Sequence, residues 1–188
     1  MEIDYSGYFR IDASHWSFFQ SKLLTRKIKK DAFFISMGEI CEHIGFIKNG
    51  TLRTFYIDNN GNDVSFIFHL ENNFFTDYES FLTATPSKLF IQAVEDTEVL
   101  VIHKKDLLDL YAADVYWQIY GRNMAEGIYL SAKKRVEDLL FLTHEERYVR
   151  LIKDQPMIFN RIPQKQIASY LGIKPQSLSR IRKRIAQQ

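Results

Sequence analysis

Residues 164–183 constrain this chain most, because their small and apolar members stand where two crossed helices must touch. Ile167, Ala168 and Leu171 form the inner face of a first helix, and Ala168 is small enough to let a second helix approach. Gly172 supplies the backbone freedom that a sharp turn between helices needs. Pro175 suits the first turn of the next helix, where its missing N–H would be unpaired anyway. Leu178 and Ile181 then face back to the core, which leaves Gln176, Ser177, Ser179, Arg180 and Lys183 outward. That outward set is the surface a recognition helix presents to the major groove of DNA. The spacing predicts a helix-turn-helix; a small basic hairpin that only packs is the plainer reading of the same residues.

Charge separates the two readings. Residues 1–132 carry 12 Lys and Arg against 18 Asp and Glu, a net of −6, whereas residues 133–188 carry 13 against 5, a net of +8. No acidic residue follows Asp154, while Arg161, Lys165, Lys174, Arg180, Arg182, Lys183 and Arg184 all do. A segment this basic attracts the phosphate backbone and releases counterions when it binds. Its cations are interleaved with periodic apolar residues, which argues against a merely solvated tail. The expected DNA-contacting residues are Lys165, Lys174, Gln176, Ser177, Ser179, Arg180, Arg182, Lys183 and Arg184.

At 188 residues and 46% hydrophobic content, with 15 Phe and 10 Tyr, the chain can bury a sizeable core. No apolar run approaches the ~18 residues of a membrane span. The start, Met1-Glu-Ile-Asp4, has neither the basic residues nor the apolar stretch of a signal peptide. Cys41 is the one cysteine, so no disulfide closes within the chain and a cysteine-ligated cluster is not expected. A cytoplasmic location is the expectation.

From residue 26 to residue 103 short β-prone runs alternate with turn signals. Residues 26–29 and 33–35 flank Lys30-Asp31. Residues 42–48 lead to Asn49-Gly50, a two-residue hairpin signal, and then to residues 51–57. Asn59-Asn60-Gly61 separates these from residues 63–70, and residues 89–94 and 97–103 form a further pair around Glu95-Asp96. In residues 51–57 either face can be the inner one. Strands at this spacing predict a sandwich or barrel, with no βαβ unit. Residues 13–22 read as a helix capped by Asp12 or Ser14. Residues 104–112 read as a short helix, and residues 115–140 as a long one with an apolar stripe of Tyr120, Met124, Ile128, Ala132, Val136 and Leu139. Such a helix either lies along its own β-domain or pairs with its copy in a second chain. Thr143 with Glu146 three residues on is a capping box for the helix that would buttress the reading head.

A β-roll, a long connecting helix and a C-terminal helix-turn-helix together resemble the Crp/Fnr family of bacterial transcription regulators. The resemblance rests on residues 45–53, residues 93–100, Glu145-Glu-Arg-Tyr148, residues 161–173 and Leu178-Ser-Arg-Ile-Arg182. It implies an α+β chain with a double-stranded β-helix (jelly-roll, cyclic-nucleotide-binding-like) domain over residues 1–112. A dimerisation helix over 113–141 and a helix-turn-helix domain over 142–188 would follow. It implies a homodimer on pseudo-palindromic duplex DNA, with RNA polymerase as a further partner and no cofactor. In the family an arginine midway along the recognition helix contacts a guanine, and Arg180 stands there. The family's glutamate near the start of that helix is replaced by Gln176, which would favour adenine as its partner base. The family's head continues into a hairpin wing, for which only residues 159–162 offer a strand here.

Cyclic-nucleotide-binding relatives hold the ribose with a Gly-Glu pair and the phosphate with an Arg-Ser or Arg-Thr pair. Alignment on residues 93–99 places Thr76-Asp77 and Ser87-Lys88 at those pairs. Asp77 can imitate the glutamate, but Ser87 has no guanidinium and Lys88 lacks the planar fork. Asp77, Ser87 and Lys88 are therefore only a candidate effector pocket; cyclic AMP is not expected there, and another small molecule is left open. Catalysis is not expected either. His15, His43, His69, His103 and His144 stand singly with no His-x-His pair for a metal, and no nucleophile-elbow, Walker or dinucleotide motif occurs. The other reading is a signalling module that binds a small molecule or protein and no DNA.

Overall fold

The computed structural model describes residues 11–185 and residue 187; the stretch Met1-Glu-Ile-Asp4 lies outside them. Helix α1 (Ala13–Gln20) is followed by strands β1 (Leu24–Ile28), β2 (Phe33–Ile35), β3 (His43–Asn49), β4 (Leu52–Ile57), β5 (Asp63–His69) and β6 (Phe74–Phe75). Helix α2 (Tyr78–Thr83), strands β7 (Phe90–Ala93) and β8 (Thr97–His103), and helix α3 (Lys104–Ala113) come next. The rest is helical: α4 (Val115–Phe141), α5 (His144–Asp154), α6 (Ile158–Arg161), α7 (Gln164–Leu171) and α8 (Pro175–Ile185). The chain forms two compact units, Met1–Leu52 with His69–Trp117, and Arg53–Phe68 with Gln118–Gln188.

The first unit contains an antiparallel sheet in the order β1-β8-β3-β6. Alternation in β8 buries Thr97, Val99 and Val101, and β3 pairs its buried Ile47 with Val99 and Gly45 with Val101 on the same face. That is the period-two pattern of a half-buried sheet. Gly45 lies opposite Phe75 in the β3–β6 ladder. A Cβ there would sit 2.1 Å from the Phe75 ring, so only glycine lets this ring fill the interior. In a second layer β2 pairs antiparallel with β7 in the first unit, and β4 lies beside β5 in the second. Helix α1 is capped by Asp12, whose carboxylate accepts the His15 amide at 3.1 Å. His15 stacks on Tyr116 at 3.8 Å, and Phe19 stacks on the buried Trp117.

Four expectations need correction. Asn49-Gly50 is not a two-residue hairpin, since β3 and β4 belong to different sheets. The chain instead turns at Gly50, with φ +106, from one layer to the other. The Gly50 amide donates to Glu71 at 2.8 Å and the Thr51 amide to Thr97 Oγ1 at 3.2 Å. Tertiary partners thus override the local turn signal. β7 and β8 likewise lie in different sheets and do not pair around Glu95-Asp96. Residues 158–161 form helix α6, closed by the Ile162 amide on the Ile158 carbonyl, and not a strand. His43 and His103 are cross-strand partners with ring centroids 5.0 Å apart, so these two histidines do not stand singly. Strand β6 and helix α2 were not foreseen; each is short, and α2 is built around Asp77 as its cap.

Gly50 carries two constraints at once, a positive φ and a Cβ position 2.4–2.8 Å from Thr97 side-chain and backbone atoms. Gly61, with φ +79, has open space around it. Gly50→Ala should therefore cost about 2–4 kcal/mol and Gly61→Ala only about 1 kcal/mol. Urea-denaturation midpoints of the two variants test this; equal shifts would show that Thr97 yields without cost.

Candidate nucleic-acid interface

Helices α7 and α8 build the interface from the apolar residues outward. Ile167, Ala168 and Leu171 of α7 and Leu178 and Ile181 of α8 are buried. Gly172 ends α7 in the left-handed region at φ 70, ψ 32, which glycine adopts without a Cβ penalty. The Ile173 amide closes back on the Ala168 carbonyl at 3.0 Å. Pro175 is the first residue of α8, and the Lys174 carbonyl accepts the Ser177 and Leu178 amides.

Lys165, Lys174, Gln176, Ser179, Arg180, Arg182, Lys183 and Arg184 are exposed, and Ser177 is half-buried. Gln176, Arg180 and Lys183 recur at four- and three-residue spacing along α8, and so share one face. Two members of the expected set have internal partners. Arg184 donates to Glu145 of α5, and the Ser179 hydroxyl donates to the Pro175 carbonyl at 3.2 Å, one turn back. A base or phosphate would compete with these bonds.

The residues that hold this pair in place were not foreseen. Helix α5 starts with the expected capping box: Thr143 Oγ1 accepts the Glu146 amide, and Glu146 accepts the Thr143 amide. The Thr143 amide and, with it, the Thr143 hydroxyl donate to the Glu146 carboxylate and hold it below its usual range. One residue further, Arg147 is buried and spreads its guanidinium over four carbonyls. Nη1 donates to Leu142 at 2.8 Å, Leu139 at 3.3 Å and Asp138 at 3.5 Å, while Nη2 donates to Leu171 at 3.1 Å. These include orphan acceptors at the ends of α4 and α7, which a helix cannot satisfy internally. Arg147 therefore ties three helices together. The available signal was its place next to Tyr148 and four residues before Leu151, both buried on the inner face of α5. Arg135 of α4 lies over the Tyr170 ring at 3.8 Å and donates to the Tyr170 carbonyl. Burial lowers the Arg135 pKa and raises that of Tyr170.

In the first unit, the candidate effector residues are engaged with their own chain. Asp77 is buried and accepts the Ser80 amide at 3.3 Å as the cap of α2. Ser87 is buried, donating its hydroxyl to the Leu89 carbonyl at 2.9 Å and accepting the Leu89 amide at 3.2 Å. Lys88 is exposed and pairs with Glu79 at 2.5 Å. A small cleft elsewhere in this unit, about 200 Å³, is lined by residues that include Glu39, Cys41, Glu42 and His43. Among the described residues no group of three His, Cys, Asp or Glu side chains is arranged to hold a metal ion. No helix among them is long and apolar enough to cross a membrane.

Residues 25–114 match the family model of the cyclic nucleotide-binding domain. No curated protein matches the chain in sequence. Among solved structures the chain is similar to FixK2 from Bradyrhizobium japonicum, with 19% identity and a TM-score of 0.77 over 88% of this chain and 85% of that one. It is also similar to a putative transcriptional regulator of the Crp/Fnr family from Eubacterium rectale, with 16% identity and a TM-score of 0.71 over 93% and 85%. The c-di-GMP responsive global regulator CLP from Xanthomonas campestris matches with 15% identity and a TM-score of 0.70 over 94% and 92%. The fold is that of the Crp/Fnr regulators. An antiparallel β-sandwich, a long helix and further C-terminal helices follow one another here as in that fold, and the matched family segment contains Asp77, Ser87 and Lys88.

Removing Arg147 from this Crp/Fnr fold would leave the Leu139, Leu142 and Leu171 carbonyls without this donor, the last of them in a buried contact. Arg147→Ala should cost about 3–5 kcal/mol, and Arg147→Lys somewhat less, since one ammonium cannot span the same acceptors. Arg150→Ala, which removes a half-exposed pair with Asp138, should cost about 1 kcal/mol or less. Thermal unfolding followed by circular dichroism checks the order; equal losses at positions 147 and 150 would contradict it.

Proposed function

We propose that this chain is a sequence-specific, DNA-binding transcription regulator of the Crp/Fnr type that acts as a homodimer on pseudo-palindromic duplex DNA. The observation that carries the reading is the solvent-facing row of Gln176, Arg180 and Lys183 on α8, backed by buried Leu178 and Ile181. A guanidinium in the middle of an exposed helix face can meet both acceptors of a guanine edge. Lys165 and Lys183 flank it as phosphate anchors. A cytoplasmic site of action accompanies this reading.

The dimer reading rests on α4. Its 27 residues span about 40 Å. Of the expected stripe, Tyr120 and Met124 are half-buried, and Ile128, Ala132, Val136 and Leu139 are exposed. Ile119, Leu130, Leu140 and Phe141 are exposed as well, Phe141 by 76%. A run of large apolar side chains in water is the usual mark of a surface that a partner covers, and a two-fold reader of a palindrome supplies that partner as a second copy. Cyclic AMP does not fit the reading, because Ser87 offers no guanidinium for a phosphate and is bonded to Leu89, while the Asp77 carboxylate caps α2. Another small molecule in the β-roll remains compatible with it.

Sedimentation at micromolar concentration should give twice the 22.2 kDa chain mass, and Leu130→Asp with Leu140→Asp should shift it towards one. A wild-type monomer that bound a palindrome tightly would overturn the dimer. On DNA, Arg180→Ala should cost about 1–3 kcal/mol on the cognate duplex and relax preference at one base pair per half-site. Lys165→Ala should weaken cognate and scrambled duplexes alike and lower the salt dependence. Binding curves on both duplexes at two salt concentrations decide the matter; equal loss on both for Arg180→Ala would make Arg180 a phosphate anchor.

A further inference from the structure

Within the second unit, α7 is held by strand β5 through one hydroxyl. Ser169 Oγ accepts the Ser65 amide at 3.0 Å and donates to the Asp63 carbonyl at 3.0 Å. The N–H of one strand residue and the C=O of the residue two before it point to the same side, so the hydroxyl takes the pair of bonds that a neighbouring strand would take. Next to it, the Tyr170 ring lies 5.2 Å from Phe68 on β5 and stacks under Arg135 of α4. Behind it, Asp63 is pinned by the fully buried Arg53 at 2.6 Å, and that guanidinium lies over Phe55 at 4.1 Å. Asp63 thus serves β4 with its carboxylate and α7 with its backbone.

These contacts use the side of α7 that bears Ser169 and Tyr170, and they leave Gln176, Arg180, Arg182 and Lys183 exposed. A contact that hid the reading face would be inhibitory; this one leaves it open. We infer that Ser169 is a positioning residue, by which the β4–β5 hairpin clamps the helix-turn-helix in one orientation for DNA. The inference rests on the DNA-reading proposal above. Its energetic consequence follows from geometry. A single reading head can turn to meet a single half-site, whereas two heads joined in a dimer must both match a fixed separation, so freedom in either one weakens the second contact.

The test uses the full chain with Ser169→Ala and with Ser169→Thr, which keeps the hydroxyl. Without DNA, hydrogen exchange at the Ser65 amide should accelerate in Ser169→Ala and return towards wild type in Ser169→Thr. On a two-half-site duplex Ser169→Ala should lose about 2- to 10-fold in affinity, the worth of one or two such hydrogen bonds. On a single half-site it should lose less than about 2-fold. Duplexes with the half-sites moved apart by one or two base pairs should be rejected less sharply by Ser169→Ala than by wild type, which a residue that only stabilises the fold would not produce. Faster Ser65 exchange with unchanged affinity and spacing preference would overturn the positioning role and leave Ser169 as packing. Unchanged Ser65 exchange would show that the clamp itself does not form. A wild-type chain that bound no duplex would sink the DNA reading, and the positioning role with it, whatever Ser65 did.

Discussion

The buried guanidinium of Arg147 is the interaction on which the C-terminal half depends. Helices α4 and α7 each end in carbonyls that no further turn can satisfy. The end of α4 reaches the surface, but the Arg147 side chain that meets it is buried with Tyr148, Leu151 and Leu171. Only a group with several donors in a plane reaches two helix ends together, and arginine is that group. Its charge also suits its place, because helix C-termini carry partial negative charge. A cation buried against four oxygens costs desolvation, and the dipoles of those carbonyls offset part of it. Helix α7 is therefore fixed to the long helix by polar contacts as much as by apolar ones.

The same logic reduces the meaning of net charge. Residues 133–188 carry an excess of +8, yet several of these cations are occupied. Lys133 pairs with Glu137, Lys134 with Asp154, Arg150 with Asp138 and Arg184 with Glu145. Arg135 and Arg147 are turned inward to carbonyls. Such surface pairs are worth little to stability, but they remove positive charge from the field a phosphate would feel. What α8 presents is narrower than the count implies, centred on Arg180, Arg182 and Lys183.

Much of this was legible in the sequence where local patterns decide. Ile167, Ala168, Leu171, Gly172, Pro175, Leu178 and Ile181 occupy the places their spacing required, because a helix pair is built from contacts close in sequence. Thr143 and Glu146 form their box for the same reason. The β-roll was legible as strands but not as pairings. Asn49-Gly50 carries a hairpin signal, yet Gly50 follows Glu71 and Thr97, residues more than 20 positions away, into another layer. Ladder partners chosen at that distance leave no mark in a local window. His43 and His103 show the same blindness, being 60 positions apart and opposite each other. The roles of Arg147, Arg135 and Ser169 were hidden differently. A buried arginine looks like a surface arginine in sequence until the face of its helix is compared with its apolar neighbours.

The effector residues lead to the last step. Capping by Asp77, the Ser87–Leu89 turn and the Lys88–Glu79 pair are local bonds, each made within nine residues. In a ligand-responsive β-roll the polar groups of this segment must be available to the ligand, since a signal needs a group whose partner changes between two states. Asp77 and Ser87 have their partners in the free chain and are buried with them, so a ligand would have to break those bonds before gaining its own. The free energy left to shift an equilibrium is then small, because a ligand moves two states apart only by the difference in its affinity for them.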